Sequence, residues 1–333
     1  MIKLPQMRAS VLDAHGAPFR VVEMSRPEAA PGQVLVQVKA SAVNPLDLKI
    51  RAGQADHARH PLPAILGIDL AGVVEAAGPG VTSFRRGDEV FGMTGGVGGV
   101  QGSLADFVAV DADLLAIKPA NLTMIESAAL PLIFITAWEG LVDRAGVKSG
   151  QSVLIHGGAG GVGHVAIQIA NAFGAKVFAT GSSASAPFIE SLGATAIDYR
   201  EVSVESYVDR HTGGRGFDIV YDTAGGKTLD LSFQAVRRFG HVVSALGWGA
   251  HSLAPLSFRA GTYSGVFTLL PLLTGEGRAH HGEILREAAR LAVEGKVRPR
   301  VDPRHFTLSR VDEAYQAVQT RSAPGKVVVA IGS

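Results

Sequence analysis

A glycine-rich turn between a strand pattern and a helix pattern constrains the fold of this chain most strongly. The apolar run 153–155 leads into Gly158, Gly160 and Gly163, and a nearly all-apolar helix pattern starts at Val162. In this context each glycine has a physical reason: a tight turn, close approach of the backbone to a pyrophosphate, and close packing of helix on strand. The free N–H groups and the positive helix end at 162–164 add an anion site.

The sequence therefore predicts a bound dinucleotide at this turn. We expect its phosphates to lie against five backbone positions: Gly158, Gly160, Gly161, Val162 and Gly163. The alternative is a purely structural turn, because glycine-rich turns are common and the chain has 41 glycines.

The pattern of predicted secondary structure changes near Pro119. Before it, short β-type runs separated by Pro and Gly turns predict a partly closed antiparallel barrel. After it, strand and helix patterns alternate, which predicts a parallel, doubly wound sheet. The run 263–273 is apolar enough for one more strand that runs into a connection. The closing run 326–331 has no helix after it, so we expect it to pair back into the first domain.

Composition excludes several classes of function. Hydrophobic residues make up 47% and charged residues 18%, which suits a sheet covered on both faces. The 31 basic and 30 acidic residues give a net charge of +1 without long runs of one sign, which argues against a nucleic-acid partner. No cysteine is present, so disulfides and cysteine metal sites are excluded.

Hydropathy predicts no membrane association. No apolar run approaches the roughly 18 residues of a membrane span, and residues 1–10 lack the apolar core of a signal peptide. We therefore expect a cytoplasmic protein.

Several segments together carry a resemblance to a known family. They are Gly150-Gln151 with Leu154, Gly158–Gly163 and Gln168; Asn44–Gly53; Leu66–Val74 with Gly87-Asp88; Thr136–Trp138; Asp222–Gly226; and Gly325–Val328. In their order and spacing the chain resembles the medium-chain dehydrogenase/reductase superfamily, and within it the zinc-independent quinone oxidoreductases that include ζ-crystallin. Asn171 departs from the family pattern at a helix position peripheral to the phosphate.

The resemblance implies the architecture and some of the site. It implies an α/β protein with a GroES-like β-barrel catalytic domain at 1–119 and 268–333 and a Rossmann domain at 120–267. It also implies a cleft between the domains and a homodimer. Thr223 and Lys326 lie in matching segments, and we expect both to contact the cofactor.

The resemblance also implies a reaction without metal. Zinc-dependent members of the superfamily have Cys, His-Glu and a second Cys where this chain has Asn44, Ile68-Asp69 and about Leu132. An alcohol dehydrogenase of that type uses zinc to stabilise the developing alkoxide. The eleven histidines show no ligand spacing either. We therefore expect no zinc site and no alcohol oxidation by that route.

The end of the second Rossmann strand bears on the choice of cofactor. NAD sites usually place a carboxylate there, but this chain has Ser182 and Ser183, whose hydroxyls can donate to a 2′-phosphate. NADPH is therefore predicted. The family's Lys after the serine pair is absent, and Tyr199 with Arg200 is the expected compensation. The alternative is that the two serines only cap the next helix.

The predicted chemistry is hydride transfer from NADPH to a quinone or to the β-carbon of an α,β-unsaturated ketone. Such acceptors spread the developing negative charge by conjugation, and the protein must orient them and stabilise an oxygen anion. The candidate catalytic residues are Asn44, Lys49 and Arg51, with the alternative that Lys49 and Arg51 are surface charges. The expected cofactor contacts are Asn44, Thr136 at the nicotinamide ribose, and Leu246 with Phe267 along the nicotinamide.

Two other functions stay open at this point. A 2-enoyl thioester reductase of the same fold requires a basic groove for the phosphopantetheine arm. A non-catalytic NADPH-binding protein, as in the crystallin role within this family, would bind NADPH without oxidising it.

Overall fold

The computed structural model describes residues 5–332 and consists of two compact units. The first unit takes the chain up to Leu132 and again from Leu269, and the second is Ile133–Thr268.

The chain begins with eight strands and two short helices. They are β1 (Gln6–Leu12), β2 (Arg20–Ser25), β3 (Gln33–Ala42), α1 (Pro45–Arg51), β4 (Ala64–Ile65), β5 (Asp69–Ala77), β6 (Glu89–Met93), β7 (Phe107–Asp111), β8 (Leu115–Ile117) and α2 (Met124–Ala128). Pro45 occupies the first turn of α1, where a missing N–H costs nothing. The Thr123 hydroxyl accepts the Glu126 N–H, 3.1 Å away, and caps α2.

Strands and helices then alternate. They are α3 (Pro131–Trp138), followed by a π-helical segment (Glu139–Arg144), β9 (Ser152–His156), α4 (Gly161–Ala172), β10 (Lys176–Gly181), α5 (Ala186–Ser191), β11 (Thr195–Asp198), α6 (Val204–Thr212), β12 (Phe217–Asp222), α7 (Lys227–Ala235), β13 (Val236–Ser244), α8 (Ala254–Ser257) and β14 (Thr262–Gly265). The sheet order is β11-β10-β9-β12-β13-β14, and every neighbouring pair is parallel. The predicted doubly wound Rossmann sheet is confirmed, with its order reversing between β9 and β12.

The last segment returns to the first unit. It contains α9 (Leu270–Thr274), α10 (Arg278–Val293), β15 (Phe306–Thr307), α11 (Val311–Gln319) and β16 (Val328–Ala330). β16 pairs antiparallel with β3, Val329 opposite Ser41, so the predicted return of the closing strand is confirmed. The strand and the connection predicted in 263–273 are both present, since β14 ends at Gly265, but the run also contains the start of a helix at Leu270 that the sequence did not predict.

The first unit holds two β-sheets, in agreement with the predicted β-rich domain. One has the order β15-β16-β3-β5-β6-β8, with β7 also paired to β3, and the other has the order β2-β1-β4. The pairings of β3 with β5, of β5 with β6 and of β6 with β8 are antiparallel.

The core of the second unit explains why its strands are apolar throughout. Helix α4 packs on β9 and β10, while α7 packs on β12 and β13. Leu154, Phe178 and Phe217 are at most 2% exposed, and the two phenylalanine rings meet edge to face at 5.2 Å. Burying three such side chains contributes several kcal/mol, at about 1.5–3 kcal/mol each. The sheet therefore gives the loops at its carboxyl edge a rigid base.

Candidate functional site

The turn between β9 and α4 is built so that only glycine fits at two of its positions. A Cβ on Gly163 would lie 2.1 Å from the Gly157 carbonyl oxygen, and one on Gly158 would lie 2.6 Å from the Ala179 Cβ. Both distances are too short for any real carbon, so these glycines hold helix and strand in contact. Gly160 differs, because the only neighbour of its Cβ would be the Gly157 oxygen at 3.1 Å. The surface beside Gly160 is therefore open.

The first turn of α4 supplies the donors for an anion. Gly160 is the N-cap residue and has no side chain to cap the helix. The N–H groups of Gly161, Val162 and Gly163 have no acceptor within the helix, because helical bonds begin only one turn later. The aligned peptide dipoles add positive potential at this end. Open space, free donors and positive potential together fit the pyrophosphate of a dinucleotide.

Two hydroxyl groups fix the strand end below this turn. Thr180 Oγ1 accepts the Gly157 N–H at 3.2 Å and lies 3.1 Å from His156 Nδ1. The Thr223 hydroxyl donates to the His156 carbonyl at 2.6 Å. Burial lowers the pKa of His156 to about 4, so the imidazole is neutral near pH 7. Thr223, expected at the cofactor, thus ties β12 to β9 directly behind the turn.

The serines expected at the 2′-phosphate lie at the carboxyl edge of β10. The Tyr199 N–H donates to the Gly181 carbonyl at 3.3 Å, so Tyr199 and Arg200 at the end of β11 are beside Ser182. The Ser182 side chain does not cap the 3₁₀ turn Ser183–Ser185, and its hydroxyl donates to Ser185 Oγ at 3.4 Å. Ser183, Tyr199 and Arg200 are exposed. Two hydroxyl-bearing positions and a guanidinium therefore meet at one edge.

The three residues expected at the nicotinamide all belong to the second unit. Leu246 follows β13 and Phe267 follows β14, so both lie beyond the carboxyl ends of neighbouring strands. The Leu246 N–H donates to Ser244 Oγ at 3.1 Å, and the Phe267 ring meets Trp248 edge on at 6.0 Å. The Thr136 hydroxyl is 3.1 Å from the Thr268 hydroxyl. These contacts fix the backbone around the expected ring site.

The first unit contains a buried network of polar and charged groups around Asn44. The Asn44 amide donates to Asp69 at 2.9 Å, and Lys326 donates to the Asn44 amide oxygen. Lys326 also donates to the Val43 carbonyl at 3.3 Å and lies 3.9 Å from Asp69. A second Asp69 oxygen accepts the Leu132 N–H at 2.9 Å. Asn44 is therefore fully buried, with its amide oxygen and one amide hydrogen engaged inside the unit.

Burial shifts the titration of all three ionisable groups near Asn44. It raises the pKa of Asp47 to about 7 and that of Asp69 to about 6, although Lys326 opposes both shifts. It lowers the pKa of Lys326, against the raising effect of Asp69 and Asp47. Asp47 Oδ2 accepts the Asn44 N–H at 2.8 Å and thereby fixes the start of α1. Asp47 therefore orients the loop that leads into α1.

Lys49 and Arg51 have different environments on α1. Arg51 donates to Asp312 at 2.6 Å and to the Ala17 carbonyl at 3.0 Å, and its guanidinium lies 5.1 Å from the centroid of the Phe19 ring. Arg51 therefore anchors α1 to α11 and to the segment after β1. Lys49 is exposed, and its ammonium group has no hydrogen bond or ion pair within residues 5–332. Of the two cations, Lys49 is the one available to a ligand.

Sequence reasoning missed the pairing of Asp69 with Lys326 and that of Arg51 with Asp312. Each pair joins residues more than 250 positions apart, and no local pattern predicts such contacts. A signal for the first was present, because Asp69 occupies part of the position of the family's zinc ligands yet lies in an otherwise apolar strand pattern. A buried carboxylate requires a charged or hydrogen-bonding partner, and the buried Lys326 supplies one here.

We expect Asp47→Asn to gain stability over wild type as the pH rises. Below about pH 4 the Asp47 carboxyl is protonated in both folded and unfolded chains. Between about pH 4 and 7 only the folded chain keeps the proton, so the free energy of unfolding of the wild type falls with pH. The free energy of unfolding of Asp47→Asn relative to wild type should therefore increase by on the order of 4 kcal/mol between about pH 4 and 7. Urea unfolding at several pH values measures this difference.

Asp56→Asn is the matched control, because Asp56 is an exposed carboxylate of the same unit. Its stability should follow the wild-type pH profile. An Asp47→Asn profile parallel to wild type would mean that the Asp47 carboxylate is ionised in the fold.

Among residues 5–332 no group of three or more His, Asp or Glu side chains is arranged to hold a metal ion. Within the same residues no helix has the length and apolar character needed to cross a membrane.

Comparison with known families gives a consistent result over most of the chain. Residues 30–120 match the model of the alcohol dehydrogenase GroES-like domain, and residues 192–329 match that of zinc-binding dehydrogenases. A crystal structure of an alcohol dehydrogenase superfamily protein from Novosphingobium aromaticivorans superposes with a TM-score of 0.96 at 60% identity. The superposition covers 97% of this chain and 99% of the Novosphingobium aromaticivorans chain.

Two curated plant enzymes are similar along most of their length. The 2-methylene-furan-3-one reductase of Solanum lycopersicum is 38% identical over 311 residues, which are 91% of this chain and 73% of that protein. The chloroplastic NADPH-dependent alkenal/one oxidoreductase of Arabidopsis thaliana is 37% identical with the same coverage.

Proposed function

Because the chain belongs to the medium-chain dehydrogenase/reductase superfamily, we propose that it is an NADPH-dependent, metal-independent reductase of α,β-unsaturated carbonyl compounds or quinones. The observation that carries the proposal is the turn after β9, where open space at Gly160 meets the free N–H groups of α4. The names of the two plant relatives favour an enone or alkenal as the acceptor.

Residues at the carboxyl edge of the Rossmann sheet would hold the cofactor. The turn 157–163 binds the pyrophosphate through backbone N–H groups. Arg200, with Ser182 and Ser183 beside it, binds the 2′-phosphate, because a guanidinium fits a phosphate with two parallel hydrogen bonds. When bound, the reduced nicotinamide supplies a hydride to the electron-poor carbon of the acceptor.

The first unit would complete the reaction through Lys49. Its ammonium group donates a hydrogen bond to the carbonyl oxygen of the acceptor and stabilises the negative charge that develops there. Asn44, Asp47 and Arg51 fix the start and the end of α1, and they act as positioning residues for Lys49. In this proposal Lys326 acts through Asn44 rather than on the cofactor.

Turnover of NADPH with a panel of enones, alkenals, quinones and enoyl thioesters tests the proposed reaction. We expect oxidation of NADPH by small enones, with a lower kcat in Lys49→Met that Lys49→Arg largely restores. Tight NADPH binding without turnover of any acceptor would favour the non-catalytic alternative. Turnover of enoyl thioesters alone would favour the thioester reductase.

Arg200→Ala tests the cofactor preference separately. Arg200 is exposed, and within residues 5–332 its guanidinium contacts the neighbouring Tyr199, 3.4 Å from the hydroxyl and 5.6 Å from the ring centroid. Both residues lie on the surface, so the fold does not depend on the Arg200 side chain. We expect the Kd for NADPH to rise about tenfold, because a charge-assisted hydrogen bond contributes about 1.5–3 kcal/mol. The Kd for NADH should stay unchanged. An equal loss of affinity for NADPH and NADH in Arg200→Ala would contradict the assignment of NADPH. Tighter binding of NADH than of NADPH by the wild type would contradict it as well.

We also propose that the protein is a homodimer that associates through the β14 edge of the Rossmann sheet. β14 is the last strand of that sheet, and the nearby Phe239 and Phe258 are 76% and 84% exposed. An unpaired strand edge beside exposed aromatic rings favours pairing with another chain. Phe258→Asp should yield monomers in light scattering, whereas a wild-type monomer would contradict the proposal. A cytoplasmic location stays a prediction from the sequence.

A further inference from the structure

A separate cavity lies in the second unit, at the amino edge of the parallel sheet. Its volume is about 410 Å³, and Ser152, Lys176 and Asp218 at the starts of β9, β10 and β12 line it. The nucleotide turn follows His156 at the other end of β9. Four residue steps of extended strand separate Ser152 from His156 by about 13 Å. The cavity is therefore distinct from the proposed cofactor site.

The cavity wall carries an excess of positive charge. Its cations are Lys176, Arg215 and Arg237, and its one carboxylate is Asp218. The Ser152 N–H and hydroxyl both donate to Asp218 Oδ2 at 2.7 Å, and Arg237 Nε donates to Oδ1 at 2.6 Å. Asp218 is thus already neutralised by Arg237 and hydrogen-bonded at both oxygens. The positive charges of Lys176 and Arg215 therefore have no compensating carboxylate among the lining residues.

The Lys176 ammonium group and the two terminal nitrogens of Arg215 have no hydrogen-bond partner among residues 5–332. Arg215 uses only Nε, which donates to the Thr212 carbonyl at 3.3 Å, so both of its terminal nitrogens are available. Lys176 Nζ lies 5.3 Å from the centroid of the Phe178 ring and has no hydrogen bond or ion pair within the described residues. His211, whose ring is 5.0 Å from the same phenyl ring, adds a polar group to the wall.

We propose that this cavity binds a small phosphorylated anion, held by Lys176 and Arg215 and bounded by the Ser152–Asp218 contact. A guanidinium fork and an ammonium group are the usual partners of phosphate oxygens. The volume lies within the roughly 300–1,000 Å³ of small-molecule sites, which favours a metabolite over a macromolecule. The proposal does not depend on the proposed reaction.

Titration calorimetry with inorganic pyrophosphate tests the site in protein already saturated with NADP⁺. Saturation removes competition from the cofactor turn. We expect binding with a Kd of about 1 mM or tighter, and a loss of at least about tenfold in the double variant Lys176→Gln/Arg215→Gln. Both side chains are exposed, so the double variant should keep the wild-type melting temperature.

The charge-matched control is Arg85→Gln/Arg86→Gln, since these side chains of the first unit are 90% and 77% exposed. It should bind pyrophosphate as wild type does. In wild-type protein, NMR signals of the His211 ring should also shift on addition of pyrophosphate. No binding below about 10 mM, equal losses in both double variants, or unmoved His211 signals would overturn the proposal.

Discussion

Gly160→Asp is expected to raise the Kd for NADPH by about 100-fold or more without lowering the melting temperature. Gly160 is the N-cap residue of α4, with extended backbone angles that Asp adopts readily. Asp is among the best N-cap residues, and its charge interacts favourably with the helix dipole, so the free protein should be as stable as wild type or more stable. The same carboxylate occupies the anion site and repels a pyrophosphate. Fluorescence titration with NADPH and thermal unfolding measure the two effects.

Two further variants distinguish the effect of a negative charge at this turn from the effect of a steric clash. Gly160→Asn provides a similar cap without the charge and should lose less NADPH affinity than Gly160→Asp. In Gly163→Ala the Cβ would approach the Gly157 oxygen to 2.1 Å, so this variant should lose both stability and affinity. If the turn were only structural, Gly160→Asp would bind NADPH as wild type does, and that result would contradict the proposed cofactor site.

The parts of the molecule that the sequence predicts are those set by local patterns. The turn after β9 combines strand, glycines and helix within 18 residues, 151–168, so spacing alone predicted its geometry. The return of 326–331 to the first unit followed from an apolar run without a subsequent helix. In the run 263–273 the strand was predicted but the helix from Leu270 was not, because a continuous apolar stretch does not distinguish a strand from a buried helix turn.

The contacts of the first unit were predicted less completely because they are long-range. Lys49 and Arg51 are both basic residues of α1, and the sequence does not distinguish their roles. Asp312, which lies 261 residues after Arg51, makes Arg51 an anchor of α1 and leaves Lys49 exposed. Asn44 has the residue type of a hydrogen-bond donor to substrate, but Asp69 and Lys326 hold it inside the unit. Such roles depend on which residues, distant in sequence, are in contact in the fold. A single sequence does not reveal these contacts.

Lys326→Met is expected to destabilise the protein by about 3–5 kcal/mol. Lys326 is 7% exposed, and its loss leaves the fully buried Asp69 without a compensating charge. Without the cation the pKa of Asp69 rises above its present value of about 6. The folded variant then holds a proton that the unfolded chain releases above about pH 4, so its free energy of unfolding falls further as the pH rises. Urea unfolding at pH 5 and pH 8 should show the larger loss at pH 8.

The double variant Lys326→Met/Asp69→Asn should recover most of this loss. In Asp69→Asn alone, the new amide has its NH₂ facing the NH₂ of Asn44, which cannot turn because Lys326 donates to its oxygen. Once Lys326 is gone, the Asn44 amide can flip and accept from the new amide. The two substitutions should therefore be less costly together than their separate effects predict, by more than about 1 kcal/mol in a double-mutant cycle. Additive losses would show that Lys326 and Asp69 stabilise the unit independently rather than as a pair through Asn44.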